Sequence, residues 1–357
     1  MIFNNRSLNL SVGFNLKNKA HTQAMVSKTA KIFSVFILFV FCLFVTISVS
    51  AQIIKPKIKK TVVNESETPA EKSVAVDAKV NISLCVTKGK VKVHGWDRNE
   101  IRAFVSSGGS QVGFKILQKS KQTDKPVWVM ILGFDPSQSV DREADECLSG
   151  DEIELDVPRG ATVNIKSRES ETMIESVGKV RVENIGGDIF LKDIAQGIEA
   201  ATYQGDVTVS RSSGAMNVSS ASGNIVAFDL SPSEIGDVFK AKTINGAITL
   251  QEIEHRQIEV SSNSGSIKFT GDFLNGGQYN FGTANGAIML ALSEKSSCKI
   301  TAFFGFGQFA SEIPLKDKQQ SPASGAQNLT AQIGNGEATL NLKTFSGSII
   351  IRKQSEK

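Results

Sequence analysis

Aromatic residues other than phenylalanine are scarce: Trp and Tyr occur twice each, against 21 Phe. His occurs three times and Cys four times, with no Cys-x-x-Cys and no close pair of histidines. That excludes an ordinary zinc cluster and a redox dithiol. Amphipathic helical periodicity is almost absent, residues 232–240 being the one short exception. Acidic residues are missing from one region altogether. Residues 1–51 carry Arg6, Lys17, Lys19, Lys28 and Lys31 and no acid. The formal charge of +4 therefore belongs to that segment, and the rest holds 35 basic against 36 acidic residues, a net of −1. A near-neutral body gives no electrostatic reason to expect nucleic-acid binding.

The N-terminal segment has the order of an export signal. Lys28 and Lys31 precede an apolar run, Ile32 to Val49, which ends in Val49-Ser50-Ala51. This predicts a signal peptide over residues 1–51, with 1–24 as an upstream extension because Met25 is a more natural start than Met1. Residues 32–49 are also just long enough to remain as a membrane anchor, and Lys55, Lys57, Lys59 and Lys60 soon after them mildly favour that alternative. Cys42 follows Phe41, which argues against lipidation. Residues 52–72 have the composition of a flexible linker. Cys85, Cys147 and Cys298 remain; they fit buried thiols or one disulfide of unreadable connectivity.

From about residue 73 to 353 the chain (357 residues, 40% hydrophobic) becomes an array of short period-2 segments, followed by a tail, 354–357. Eleven glycines are each followed at +2 and +4 by apolar residues: Gly89, Gly178, Gly187, Gly205, Gly214, Gly223, Gly246, Gly265, Gly286, Gly336 and Gly347. Such an offset turns the chain at Gly, points +2 and +4 inward and leaves +1 and +3 to water. One segment has too little apolar surface to stand alone, whereas stacked copies bury a stripe. Gly187, Gly205 and Gly223 are 18 apart. The expected fold is all-β, a β-solenoid or β-helix-like array with two strands per coil; an antiparallel meander or sandwich remains the alternative. Residues 118–150, with an apolar insert Val127–Phe134, read as irregular, and 315–330 read as an exposed loop.

Three elements in order carry a family resemblance: Gly95-Trp96-Asp97-Arg98-Asn99-Glu100; Leu155-Asp156-Val157-Pro158-Arg159-Gly160-Ala161; and Thr/Ser-x-x-Gly-x-Ile/Val units ending at Thr344-Phe345-Ser346-Gly347-Ser348-Ile349. Over residues 74–353 the chain resembles the bacterial β-strand-repeat "putative adhesin" family, a domain of unknown function. The first unit, Ser170–Ser176, lacks the glycine. The resemblance implies an exported β-repeat domain, with a cell surface as one expected place for it, and no catalytic residues.

Candidate chemistry is thin. His94 near Asp97, and His255 after Glu252 and Glu254, make neither a metal site nor a triad by spacing. Residues 141–154 hold seven acids in fourteen, but lack calcium-loop glycine patterns. Asp188 and Asp206 occupy one position of successive units and would be neighbours, as a glycosidase or lyase pair would need, but Asn224 and Ala247 end that row. Trp96 could stack on a sugar or cover a strand edge. Residues 302–309, rich in Phe, could be a sticky surface or a cap. No catalytic, cofactor-binding or metal residue is assigned and no cofactor is expected. The expected role is an exported, non-catalytic scaffold or interaction protein, periplasmic, cell-surface or secreted. Its partner would be a protein or glycan at the cell surface, with membrane contact only if residues 32–49 persist. A tethered envelope-stress component and a carbohydrate-active enzyme are the alternatives.

Overall fold

The computed structural model describes residues 70–106, 111–134, 147–323 and 325–354. The proposed leader, its anchor alternative and the linker up to residue 69 lie outside the described residues. The described chain is all-β, with 25 strands in one hydrogen-bonded network and no helix.

Seven strands form the head: β1 (Ala70–Ala75), β2 (Asn81–Trp96), β3 (Glu100–Ser106), β4 (Gln111–Lys119), β5 (Pro126–Phe134), β6 (Leu148–Pro158) and β7 (Thr162–Glu175). Six two-strand coils follow: β8 (Lys179–Gly186) with β9 (Ile189–Lys192), β10 (Ile198–Gln204) with β11 (Val207–Ser213), β12 (Met216–Ser222) with β13 (Ile225–Ser231), β14 (Val238–Asn245) with β15 (Ile248–Ile253), β16 (Gln257–Ser264) with β17 (Ile267–Thr270), and β18 (Gln278–Asn285) with β19 (Ile288–Leu292). The tail holds β20 (Cys298–Phe306), β21 (Phe309–Ser311), β22 (Lys316–Ala323), β23 (Ala326–Ile333), β24 (Ala338–Ser346) and β25 (Ile349–Lys353).

Pairing is parallel from coil to coil, which decides for the solenoid over the meander. Ile198 pairs with Val180 on one edge and Met216 on the other, a step of 18 residues each way. The first strand of every coil lies on one face (face I) and the second on the other (face II). Inward positions are apolar: Val207, Ile225, Ile248, Ile267, Ile288 and Ile349 form one fully buried column on face II.

The turn between the faces explains the Thr/Ser-x-x-Gly unit. A Cβ on Gly246 would stand 1.9 Å from the carbonyl oxygen of Gly223, the equivalent glycine one coil earlier. At Gly205, Gly223, Gly265, Gly286 and Gly347 it would likewise meet the preceding glycine's oxygen, at 1.9–2.3 Å. Gly246 does not have a positive φ, so close approach, not turn conformation, demands glycine there. The hydroxyl three residues earlier then donates to that same oxygen: Ser220 to Gly205 (2.9 Å), Thr243 to Gly223 (2.9 Å), Ser262 to Gly246 (3.0 Å) and Thr283 to Gly265 (2.9 Å). Where the first unit lacks its glycine, β7 runs straight from face I to face II with Ser170 in the column.

Stacking order departs from chain order at the tail. Tyr279 pairs with Leu340, 61 residues on, and Leu340 pairs on its other edge with Ile300. The last coil, β24–β25, therefore sits between β18–β19 and the earlier β20–β21. Antiparallel strands close both ends. At the head, β5 and β4 extend face I, while β6, β3 and β1 extend face II. At the tail, β23 and β22 extend face I.

The structure corrects several expectations. Residues 118–150 contain the end of β4, all of β5 and the start of β6. The run 126–134 shows no alternation, which hid a strand joined to β4 through the tight turn Ser120–Lys125. Residues 315–330 are mostly the hairpin β22–β23. Its outer strand is exposed from Lys316 to Pro322 and owes its order to backbone pairing, so it carries no apolar pattern. Glu71 and Lys72, read as linker, belong to β1. Cys85 and Cys147 form a disulfide, while Cys298 is a buried free thiol pushed by burial up to about 12.

The corner and the disulfide each make a prediction for stability. Gly246→Ala forces the stacked carbonyls apart and should cost about 3 kcal/mol. Gly236→Ala, with nothing within 4 Å of the new Cβ, loses only its positive-φ preference, about 1–2 kcal/mol; denaturant midpoints by circular dichroism separate the two. Reducing Cys85–Cys147, which spans 62 residues, should cost about 4 kcal/mol by loop closure. A melting temperature indifferent to reductant would contradict that.

Candidate functional site

Parallel register turns one outward position per coil into a row. On face I the row runs Ser83, Asn164, Arg181, Glu199, Asn217, Lys240, Glu259, Asn280, Asn341, Thr301, each paired in register with the next. Every member can donate or accept a hydrogen bond. The row crosses strands about 4.8 Å apart, so from β2 to β20 it extends about 43 Å.

Two depressions lie along it. Towards the tail a shallow cleft of about 630 Å³ is lined by Lys242, Ser261, Asn280, Gly282, Phe303 and Lys343, among others. Lys240 and Glu259 pair across it at 2.9 Å, and the Lys240 hydrogen bond holds the Glu259 carboxyl below its usual value. The Asn341 amide donates to Asn280 Oδ1 at 2.8 Å. The Lys343 ammonium lies 5.7 Å from the Phe303 ring centre. Neither backbone nor packing requires glycine at Gly282, which lies in the interior of β18. Its φ is not positive, and an added Cβ would meet nothing nearer than 3.9 Å. A glycine inside a strand often marks a bulge, a tight bend or a place where a ligand or another backbone approaches closely, and Gly282 pairs in register with Ser261 and Lys343, so no bulge accounts for it.

Towards the head a second cavity, about 680 Å³, is lined by Trp128 with Asn81, Ser83, Gln118, Asn164 and Arg181 among others. The Trp128 indole is 43% exposed and its Nε1 donates to Ser83 Oγ at 3.3 Å. Sequence reading passed over Trp128, which sits in the run taken as an irregular apolar insert. Only the β2–β5 register brings it beside Asn81.

The residues singled out from sequence fall elsewhere. Trp96 donates its indole N–H to the Glu100 carbonyl (2.8 Å), and the guanidinium carbons of Arg98 and Arg102 stand 4.9 and 5.6 Å from its ring centre; it is packed, not a platform. His94 Nδ1 lies 3.0 Å from Glu175, on face II. Asp188 and Asp206 are adjacent, but each serves the turn: Asp188 Oδ1 accepts the Asp206 N–H (2.8 Å), Asp206 Oδ1 the Asn224 N–H (2.7 Å), and Asn224 Oδ1 the Ala247 N–H (2.9 Å). In the acidic stretch, 141–146 lie outside the described residues; Glu152 and Glu154 on β6 pair with Lys92. Among the described residues no group of three His, Cys, Asp or Glu could hold a metal. In the Phe-rich stretch, Phe304 is core, Phe303 lines the cleft, and Phe306 is exposed with its ring edge-on to Phe345.

A family model described as Toastrack DUF4097 matches residues 78–352, from just before β2 into β25. The chain belongs to this family. The Toastrack match and the solenoid cover the same stretch, as the resemblance in sequence implied. Two solved structures align: a "putative cell adhesion protein" from Clostridium sporogenes (12% identity, 80% of this chain and 100% of that one, TM-score 0.20) and a "putative lipid binding protein" from Parabacteroides distasonis (9%, 81% and 98%, TM-score 0.35). At those scores neither superposition bears on function. No curated protein is detectably similar in sequence.

His255 is fully buried; its Nε2 donates to the Gly214 carbonyl (2.9 Å) while Nδ1 has no partner among the described residues. Burial holds its pKa below the usual 6.5, against the smaller opposing pull of that carbonyl, Asp237 and Glu254. A lowered folded value means the unfolded chain binds the proton more readily. The stability from neutral His255 is thus complete above 6.5 and falls away as pH drops. Unfolding midpoints should decline below pH 6.5 in the native chain, and His255→Gln should flatten that slope; an unchanged slope would assign it to other groups.

Proposed function

We propose that this Toastrack chain is an exported, non-catalytic scaffold that holds an extended partner at the cell surface along face I. Gly282 carries this reading. A side chain is absent where nothing in the fold forbids one, and its absence opens the cleft between Lys242, Lys343 and Phe303. The row of amides, hydroxyls and paired charges supports it, because such a surface binds by repeated hydrogen bonds to a linear partner and not by enclosing a small one. The carboxylates that could have formed a hydrolytic pair, Asp188 and Asp206, are committed to backbone N–H groups of the turn.

The test is a combined array of surface glycans and extended peptides, probed with the full chain and with Gly282→Leu. The leucine should fill the cleft and cut binding at least tenfold while the melting temperature holds. Undiminished binding by a folded Gly282→Leu protein would remove face I at the cleft from the function.

A further inference from the structure

The cavity at Trp128 has chemistry distinct from the cleft at Gly282. We infer that it is a subsite for one uncharged hexopyranose ring of a glycan chain, which deepens the proposal for face I and rests on it. A pyranose has an apolar C–H face and a rim of hydroxyls. It is recognised by an aromatic plane with amide and hydroxyl groups around its edge.

Trp128 supplies the plane. The hydrogen bond to Ser83 fixes the indole, so little side-chain freedom is lost on stacking. The rim is amide-rich. Asn164 Nδ2 donates to the Ile82 carbonyl (3.2 Å) and Asn81 Nδ2 to the Val127 carbonyl (3.4 Å). These bonds orient both amides and leave their Oδ1 atoms as acceptors for sugar hydroxyls. Gln118, on β4, brings a third amide to the same cavity. Arg181 is held by Glu183 (2.9 Å) and faces Glu199 at 3.6 Å, so its charge is met from both sides. The hydrogen bond from Arg181 in turn keeps Glu183 ionised, below its usual carboxyl range. Lys179 also lines the cavity, so its charges are Lys179 and Arg181 against Glu199, with Glu183 held on Arg181 besides, whereas the other cleft sets Lys240, Lys242 and Lys343 against Glu259 alone; an acidic sugar gains less counter-charge here.

The chain has only two tryptophans, so Trp96→Phe makes emission a report on Trp128 alone. Full-length Trp96→Phe protein is titrated with neutral glucose-, galactose- and mannose-based hexasaccharides and with their uronate counterparts. At least one neutral series should shift the emission saturably, and the shift should persist in 0.5 M salt. Trp128→Ala should weaken binding of that sugar at least tenfold, measured calorimetrically, Trp128→Tyr should recover part of it, and both should melt like the parent. Silence from every neutral hexasaccharide, or preference for the uronates, overturns the subsite. Glycan binding that survives Trp128→Ala but is lost in Gly282→Leu overturns the subsite and leaves face I standing. Binding lost in Trp128→Ala but kept in Gly282→Leu keeps the subsite and removes the cleft at Gly282 from the function.

Discussion

Everything in this fold leans on the contact between stacked corner glycines. Each glycine lies so close to the carbonyl of its predecessor that no Cβ fits, and that approach sets the rise from coil to coil at the spacing strand pairing needs. The same carbonyl is claimed by the hydroxyl three residues before the next glycine, while the glycine N–H donates to the following coil, as Gly223 does to the Asn245 carbonyl at 3.0 Å. The corner thus satisfies its buried backbone polar groups without water. Had any partner been bulkier, the Ile/Val column two residues on would lose contact with its neighbours, since the column is only as continuous as the corner is tight.

That constraint is why the repeat could be read from sequence. A residue that must be glycine, a hydroxyl three before and two inward apolar residues after leave a visible signature. Other features carry none. The second corner holds Asp193, Arg211, Asp229 and Glu252 at positive φ, in register down the stack, with no glycine to mark it until Gly271. Its Asp193–Arg211 pair (2.8 Å) joins residues 18 apart, and the Arg211 hydrogen bond lowers the Asp193 carboxyl. The swap of β24–β25 ahead of β20–β21 is invisible because both coils present the same inward pattern, so sequence cannot say which one lies against β19. The cap strands read poorly for the opposite reason. The outermost of them, β1, β4 and β22, have one covered edge and little inward surface, so pairing and not periodicity holds them in place.

Trp128 shows the limit most directly. Its neighbours Asn81 and Asn164 stand 47 and 36 positions away in the chain, and only the pairing of β2 with both β5 and β7 assembles them. Trp96, more conspicuous beside Asp97 and Arg98, has its indole N–H engaged and two guanidiniums packed near its ring. A tryptophan's availability is decided by what the fold places against it, and for these two residues the fold gives opposite answers.

The two faces also differ in how their charges are disposed, and this bears on what each can bind. At the head of face II, Lys90–Glu171, Lys92–Glu152 and Arg102–Asp156 pair strand to strand and His94 hydrogen-bonds Glu175, so the charged groups there mainly satisfy one another. Exposed pairs of this kind add little stability, and they leave few groups for an outside partner. Face I spends fewer charges internally. It alternates pairs such as Lys240–Glu259 with amides, serines and Gly282, so donors and acceptors stay available over its length. A repeat that fixes its inward residues so strictly leaves its variation to the outward ones. On face I that variation forms a continuous polar track with an indole near the head and a phenyl ring near the tail.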